Sequence, residues 1–560
     1  MKLKSNLPIL RKKPLSLSLA PAQQQHVFQD HERDVIYIDV AKRNDSDLRL
    51  WLEWLDGEVG RVHMVQYEAL ADLQRRRDDA RAHARIVQPQ NRGGASAETA
   101  MEKALELLRL GAALGASDIH IHVLRDHAEI SVRIKKSIRH LRDLTVQDAH
   151  DLMIALYRIG PSQDNQVKEF EIQDGGIPGT ELEGSGLENV RIVRGPSYPA
   201  MNRGGFMSLR LQYRGKTTTR PVTPVGVSLR MPRAPDGKCQ LKAMGFDDTQ
   251  VDRLIYMISK PSGAVIMTGP TGSGKSTTML ELTNEKARIS PDKRNICIEQ
   301  PVEYPIPGSV QLEVINAVNA EEAGAQFKDN MRAALRMDPD SINIAEIRDA
   351  EVALTCFDAA QTGHAVMTTL HVDDIFDFPL RLQNMAFERL AFRVTCNSTI
   401  ILGLVAQRLV PLLCDHCKQP WPTEDARMPR LARSALCEWG DTTNVYRANP
   451  EGCEHCNHMG TEGVTAVAEV VMTDEELMND FVSKGVTAAR RRFRSRPDAD
   501  RTMAERAIAL AFEGRIDPKS ILTDVGEIPS KAQLDLDRKR GALERAADQR
   551  NAEKLMEEGV

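Results

Sequence analysis

The stretch that decides the fold of this chain reads Gly269-Pro270-Thr271-Gly272-Ser273-Gly274-Lys275-Ser276-Thr277. It fits the pattern G-x-x-x-x-G-K-[ST], in which glycines let main-chain N–H groups turn toward a polyphosphate. The apolar residues 264–267 before it predict a buried strand, and residues 278–282 after it predict a helix. Because a helix N-terminus attracts anions, we expect a triphosphate here, with Lys275 on its β- and γ-phosphates and Ser276 on Mg²⁺.

Three apolar runs downstream predict short strands that each end in polar residues. The runs cover residues 295–298, 341–345 and 365–369, and the polar residues after them include Glu299, Glu303, Glu346 and His371. Residues 321–336 and 350–361 predict helices between the strands. Because strands alternate with helices, the segment predicts an α/β fold with a parallel sheet, whose ligands bind beyond the carboxyl ends of the strands.

These polar residues suggest roles in phosphoryl transfer, which needs positioning and charge stabilisation more than covalent help. A carboxylate at the end of a buried strand can polarise the attacking water, and Glu346 is the best candidate. Glu303, with Glu299 behind it, is a candidate to organise Mg²⁺ or its water shell, and His371 and His364 are candidates to sense the γ-phosphate. Each residue alone is as well explained as a surface carboxylate or a core histidine. Their expected position at one edge of one sheet favours the site.

The composition is typical of a large soluble protein with several domains. The chain has 560 residues, of which 41% are apolar and 27% charged. Its net charge of −5 argues against a dedicated nucleic-acid binder. No apolar run approaches the about 20 residues of a membrane helix, and prolines and serines break the apolar N-terminal stretch, so we expect neither a membrane span nor a signal peptide. Nine cysteines beside a nucleotide motif indicate a reducing cytosol.

Two C-x-x-C pairs predict a structural metal site. The four cysteines are Cys414, Cys417, Cys453 and Cys456. Two such pairs can complete a tetrahedral S₄ site suited to Zn²⁺, whereas free thiols are the alternative. His416 and His455 are possible substitutes for one ligand, and Cys437 has no evident partner.

The motifs taken together resemble those of the secretion ATPase superfamily of type II secretion and type IV pilus assembly. Residues 269–277 resemble its Walker A box, 299–303 its Asp box, 338–349 its Walker B box and 360–371 its His box. Three positions depart from the family pattern: Gln300 stands where the family has Asp, Ala345 where it has Gly, and His122 where it has Glu. The resemblance runs from about residue 117 to about residue 471.

The resemblance implies a RecA-like P-loop ATPase domain, a preceding PAS-like α+β domain that opens near Ser117, and a small zinc-binding lobe. It implies ATP, Mg²⁺ and Zn²⁺ as ligands, and a hexameric ring in which the PAS-like domain supplies arginines to the nucleotide. Arg191 and Arg210 are the nearest matches, and Arg230 is a rival. Any of the three is equally explained as a solvated surface arginine.

We therefore divide the chain into five segments. They are a partner-docking region (1–95), a PAS-like domain (96–235), a RecA-like core (236–400), a zinc-binding module (401–475) and a C-terminal helical region with a charged tail (476–560). Within them, residues 35–40 predict a strand, residues 50–55 an amphipathic helix and the Gly/Pro-rich residues 175–205 a loop or insertion. The basic run 490–496 predicts a solvated helix face or a contact with lipid or a neighbouring subunit, and residues 531–558 an exposed helix or frayed tail.

By resemblance, the function is that of a cytoplasmic ATPase motor, peripheral at the inner membrane, that powers pilus or pseudopilus assembly through an inner-membrane platform protein. A pilus-retraction or conjugation ATPase of the same superfamily is the first alternative. A nucleotide-sensing scaffold without turnover is the second, and Gln300 keeps it open. A nucleic-acid motor is the third, which the acidic balance disfavours.

Overall fold

The computed structural model describes residues 26–30, 35–52 apart from 44, 47 and 50, 64–70, 95–160, 166–215, 224, 226–315, 317 and 319–557. It forms two compact units, residues 1–98 and 99–560. The first contains strands β1 (Val27–Asp30), β2 (Val35–Asp39) and β3 (Met64–Glu68), with β2 between an antiparallel β1 and a parallel β3. The strand predicted at 35–40 is confirmed, and most of the helix predicted at 50–55 lies outside the described residues.

The second unit begins with a six-stranded antiparallel sheet in the order β6-β5-β4-β9-β8-β7. Its strands are β4 (Asp118–Val123), β5 (Ala128–Ile134), β6 (Ser137–Leu144), β7 (Gln173–Pro178), β8 (Leu187–Pro196) and β9 (Gly205–Tyr213). Helices Ala95–Ala113 and Val146–Ile159 bury Leu108 and Leu156 in its core. Residues 175–205 are predicted to be a loop or insertion, and the loop interpretation is wrong because β7 and β8 pair there in register.

A seven-stranded sheet follows, in the order β12-β11-β13-β14-β10-β15-β18. Its strands are β10 (Gly263–Thr268), β11 (Asn295–Glu299), β12 (Ser309–Glu313), β13 (Ser341–Ile344), β14 (Ala365–Leu370), β15 (Ile401–Leu413) and β18 (Thr461–Met472). All neighbours are parallel except β15 and β18. The four predicted strands and their parallel pairing are confirmed, and the antiparallel edge is an addition.

Helices alternate with these strands, as the sequence predicts for an α/β fold. They are Leu241–Met244, Asp248–Ser259, Lys275–Ile289, Ala320–Ala334, Ala350–Gln361, Phe378–Met385 and Phe392–Thr395. The helix Ala350–Gln361 starts where the Asp349 side chain accepts hydrogen bonds from the N–H groups of Glu351 and Val352. Apolar strand residues such as Ile266 and Ile344 pack with Phe357 in one core. This core holds the carboxyl ends of the strands in fixed relative positions.

Residues 401–475, which the sequence assigned to a separate module, contribute β15 and β18 to this same sheet. Between those strands lie the two-residue strands β16 (Gln419–Pro420) and β17 (Tyr446–Arg447) and the helix Arg430–Cys437. Trp421 and Leu436 are buried there, in a cluster that also includes Ile508. The segment 414–460 is therefore a small lobe seated between two long strands of the seven-stranded sheet.

The C-terminal helices are Glu475–Lys484, Val486–Arg494, Met503–Phe512, Pro518–Ser520 and Lys531–Glu557. The arginines of the basic run pair with carboxylates: Arg490 with Asp377, Arg491 with Glu544, Arg492 with Asp480, Arg494 with Glu469 and Arg496 with Asp474. The prediction of a solvated or lipid-contacting face is wrong, because these charges are neutralised within the fold. Within the described residues, no helix has both the length and the apolar character needed to cross a bilayer.

Candidate phosphate-binding site

The loop 269–274 connects the end of β10 to the helix that begins at Lys275. Gly269, Gly272 and Gly274 have φ angles of 140°, 78° and 83°, which residues with a side chain rarely adopt. A Cβ atom at Gly269 would also lie 2.5 Å from the main-chain oxygen of Gln407. The glycines are therefore required both by backbone conformation and by the close approach of β15.

The ammonium of Lys275 is held inside this loop. Its Nζ donates hydrogen bonds to the main-chain oxygens of Gly269 and Pro270, each at 2.8 Å. Burial lowers the pKa of Lys275 from its ordinary value, and the nearby Glu346 opposes this shift. A phosphate that entered the loop would offer this cation an anionic partner in place of two neutral carbonyls.

A cavity of about 510 Å³ separates the loop from the carboxyl ends of β11, β13 and β14. One wall is made by residues 271–277 and the other by polar residues at or beyond the carboxyl ends of the strands. These polar residues are Glu299, Gln300, Glu303, Glu346, Arg348 and His371. The structure therefore brings the predicted carboxylates and one of the two predicted histidines to the same cavity as the glycine-rich loop.

Glu346 is the centre of a charged network on this second wall. Its Oε1 lies 3.1 Å from Nε2 of His371, and its Oε2 accepts a hydrogen bond of 2.9 Å from Nε of Arg348. Arg348 also donates from Nη1 to Oε1 of Gln300 at 3.0 Å. An amide at position 300 leaves the arginine with a single carboxylate partner in this network. Residues 300 and 348 were not assigned roles from the sequence, and because residues 346–348 lie beyond the end of β13, no strand periodicity could have paired Arg348 with Glu346.

Glu299 and Glu303 differ in their surroundings. Oε1 of Glu299 accepts a hydrogen bond of 2.8 Å from Nε2 of Gln311, and burial raises the pKa of the Glu299 carboxyl above its ordinary value. Glu303 is exposed on the cavity wall. Of the two, Glu303 is the carboxylate that is freer to meet a hydrated cation in the cavity.

His364 does not lie in the cavity, and the prediction that it shares the carboxyl edge is wrong. It precedes β14, whereas His371 follows the last residue of that strand. A strand of this length separates the two histidines by about 20 Å. Nδ1 of His364 instead lies 3.2 Å from the main-chain oxygen of Ala359.

The candidate arginines also lie away from the cavity of this chain. Arg191 and Arg210 are paired across β8 and β9 of the six-stranded sheet. Arg210 donates to Asp118 at 2.8 Å and to Asp338 at 3.1 Å, while Arg191 is exposed. The rival Arg230 makes main-chain hydrogen bonds with His140. The structure thus brings none of the three to the phosphate loop of its own chain.

The acidic pair Asp338 and Asp340 precedes β13 and faces the six-stranded sheet. Arg133, which is 7% exposed, pairs with both carboxylates, and its contact to Asp340 is 2.7 Å. Nε2 of the buried His120 lies 3.3 Å from Asp338. The start of the segment 338–349, which resembles the Walker B box, therefore links the six-stranded sheet to the seven-stranded sheet. The part of this segment around Glu346 reaches the cavity.

The four predicted cysteines form a second site, in the lobe 414–460. Their sulfur atoms all lie within 4.8 Å of one another, and three measured separations are 3.8 to 3.9 Å. A tetrahedron with Zn–S bonds of about 2.3 Å has edges of about 3.8 Å, so the four sulfurs fit Zn²⁺. The ring centroids of His416 and His455 lie 3.9 Å apart, with the two rings tilted by 43° to each other. Cys437 is exposed elsewhere in the lobe.

Comparison with known proteins finds one matching family and several relatives. The family described as "Type II/IV secretion system protein" matches residues 98–523. The chain is 32% identical over 361 residues to Type II secretion system protein E of Dickeya dadantii (strain 3937), covering 64% of this chain and 63% of the relative. It is 36% identical over 275 residues to the type IV pilus assembly ATPase PilB of Thermus thermophilus, covering 49% of this chain and 29% of the relative.

The chain thus spans less than two thirds of the length of each of these relatives. Among solved structures, that of the pilus retraction motor PilT with bound ADP aligns over 75% of this chain and 96% of its own. The sequence identity is 22% and the TM-score 0.37.

Proposed function

Because the chain belongs to the Type II/IV secretion system protein family, we propose that it is an ATPase that powers pilus assembly or type II secretion. The observation that carries this proposal is the arrangement of the cavity. A glycine-rich loop with a buried lysine faces Glu346 and His371 across one space of about 510 Å³. The size and chemistry of this space suit a nucleoside triphosphate and its attacking water.

The proposed reaction uses each wall for one task. The loop N–H groups and Lys275 bind the β- and γ-phosphates, which draw the ammonium away from Gly269 and Pro270. Ser276 would hold Mg²⁺, with Glu303 and Glu299 near its water shell, and the ion would neutralise charge on the phosphates. Glu346 accepts a proton from the water, and this requires its carboxylate to exchange a contact with Arg348 or His371 for one with the water.

We further propose that the four cysteines hold a structural Zn²⁺ and that the chain works as a homo-hexamer. The six-stranded domain would correspond to the PAS-like domain of the family. Once the ring is formed, it would supply Arg191 and Arg210 to a bound nucleotide. The motor would act in the cytoplasm, peripheral to the inner membrane, on a platform protein of the secretion or pilus machine. The clustered sulfur atoms support the zinc site, and the family match supports the link to a secretion or pilus machine. The resemblance of the sequence motifs supports the hexamer and the two arginines.

Two substitutions in the 560-residue chain test the ATPase proposal. Lys275→Ala should abolish turnover of Mg·ATP. Glu346→Gln should bind Mg·ATP as the unsubstituted chain does, but its steady-state phosphate release should fall by about 10²- to 10⁴-fold, the usual contribution of a general base. Glu188→Gln, in an exposed pair with Arg214, is the matched control and should keep full turnover. Normal turnover in Glu346→Gln would overturn the role of that carboxylate.

The same assay decides for or against a nucleotide-sensing scaffold, since a scaffold would bind Mg·ATP and release no phosphate.

Deleting the gene separates an assembly motor from a retraction motor. Loss of pili or of secretion indicates an assembly motor, whereas excess surface pili indicate a retraction motor. We favour assembly because the chain carries a four-cysteine lobe and a long N-terminal region.

A further inference from the structure

Gln407, in β15, is a buried polar residue that contacts the phosphate loop from behind. It is fully buried. Its Nε2 donates to the main-chain oxygen of Ser273 at 2.8 Å, and its Oε1 accepts from Oγ1 of Thr278 at 2.9 Å. One side-chain amide thus joins the end of the loop to the first turn of the helix that follows.

The loop is closely fitted to this residue. A Cβ atom at Gly274 would lie 2.8 Å from Nε2 of Gln407, and one at Gly269 would lie 2.5 Å from its main-chain oxygen. Two glycines of the loop therefore face Gln407 at contact distance. The sequence required glycine at these positions for the phosphate pattern, and the structure adds a second reason for both.

The hydrogen bond to Ser273 sets the direction of one peptide group. In a planar trans peptide the C=O and the N–H point in opposite directions. Because the Ser273 oxygen points to Gln407, the N–H of Gly274 points away from Gln407. That direction leads toward the cavity, which Ser273 and Gly274 both line. That N–H belongs to the group of donors expected to receive the phosphates.

We propose that Gln407 is a positioning residue of the phosphate loop, which orients the Ser273–Gly274 peptide for nucleotide binding. The position needs a side chain that donates to Ser273 and accepts from Thr278 at once, and a neutral amide does both. This inference rests on the proposed function, because it takes a nucleoside phosphate as the ligand of the loop.

Binding of Mg·ADP to the 560-residue chain tests the proposal, with a fluorescent nucleotide displaced by ADP. Gln407→Met keeps the length and removes both hydrogen bonds, so ADP affinity should fall about tenfold, the value of one buried hydrogen bond. Gln407→Glu places an ionised oxygen against the Ser273 oxygen at pH 8 and should weaken binding further. When that buried carboxyl is protonated at lower pH it can donate again, so its affinity relative to the unsubstituted chain should recover toward pH 5.5.

The pH profile separates positioning from packing. The Gln407→Met variant should keep a constant affinity ratio to the unsubstituted chain across this range. Thr278→Val leaves the hydrogen bond from Gln407 to Ser273 in place and should weaken ADP binding by less than Gln407→Met does. This variant provides the test if the Gln407 variants do not fold. ADP affinities within twofold of the unsubstituted chain, or equal losses in the Met and Glu variants without recovery at low pH, would overturn the proposal. A chain that binds no nucleotide before substitution would instead overturn the proposed function.

Discussion

Removal of the proposed zinc from the four-cysteine site should have a local effect whose size can be worked out from the structure. The measured sulfur separations of 3.8 to 3.9 Å place the centre of the tetrahedron about 2.3 to 2.4 Å from each sulfur. We therefore expect about one zinc per chain in protein purified without added metal. X-ray absorption should show four sulfur neighbours at that distance.

The stability effect should be confined to the lobe 414–460. Zinc binding contributes on the order of 10 kcal/mol to the folding of small metal domains. Trp421 and Leu436 share a core with Ile508, outside the lobe, so some packing would persist without the metal. The flanking strands β15 and β18 are hydrogen bonded over most of their length. Chelation should therefore raise amide exchange within the lobe and leave exchange in β10 and β14 unchanged.

Cys453→Ser should reproduce the effect of chelation, because it removes one of four ligands. Cys437→Ser is the matched control, since this exposed cysteine lies outside the cluster, and it should keep the full zinc content. Protein that contains no zinc, or a Cys453→Ser variant with unchanged zinc content and exchange, would refute the reasoning.

Two further predictions concern buried ionisable side chains in the six-stranded domain. Arg133→Met leaves Asp338 and Asp340 without their main cation and should lower the free energy of unfolding by about 3 kcal/mol in urea titrations, whereas Arg233→Met, in an exposed pair, should change it by less than about 0.5 kcal/mol. Burial lowers the pKa of His122 from 6.5 to about 3, so the folded chain keeps this ring neutral and stability should fall as the pH decreases from 6.5 toward 3. His122→Gln should reduce this loss of stability between pH 6.5 and 3. An unchanged dependence of the free energy of unfolding on pH would contradict the conclusion that His122 is held neutral in the fold.

The strand predictions succeeded because each depended on a local pattern. The apolar runs that became β10, β11, β13 and β14 are short, buried and separated by helices. In such a sheet the strands run the same way, so residues that follow each strand reach one edge. This rule places Glu299, Glu346 and His371 at the cavity from the sequence alone.

The failures have a common physical origin. His364 belongs to the same motif as His371, but it stands before β14, so strand direction places it at the opposite edge. The arginines 490–496 form a basic run in sequence, yet folding supplies a carboxylate for each of the five. A charge run does not reveal which distant residues will neutralise it.

The order and spacing of residues alone determined the phosphate loop, the parallel sheet and the edge where the site lies, because backbone geometry makes these local properties. Tertiary structure alone decided which side chains touch across the chain. Gln407 meets Thr278 across 129 positions, and Arg210 meets Asp338 across 128. Such pairs depend on strand register and on the packing of whole sheets, which no short stretch of sequence specifies.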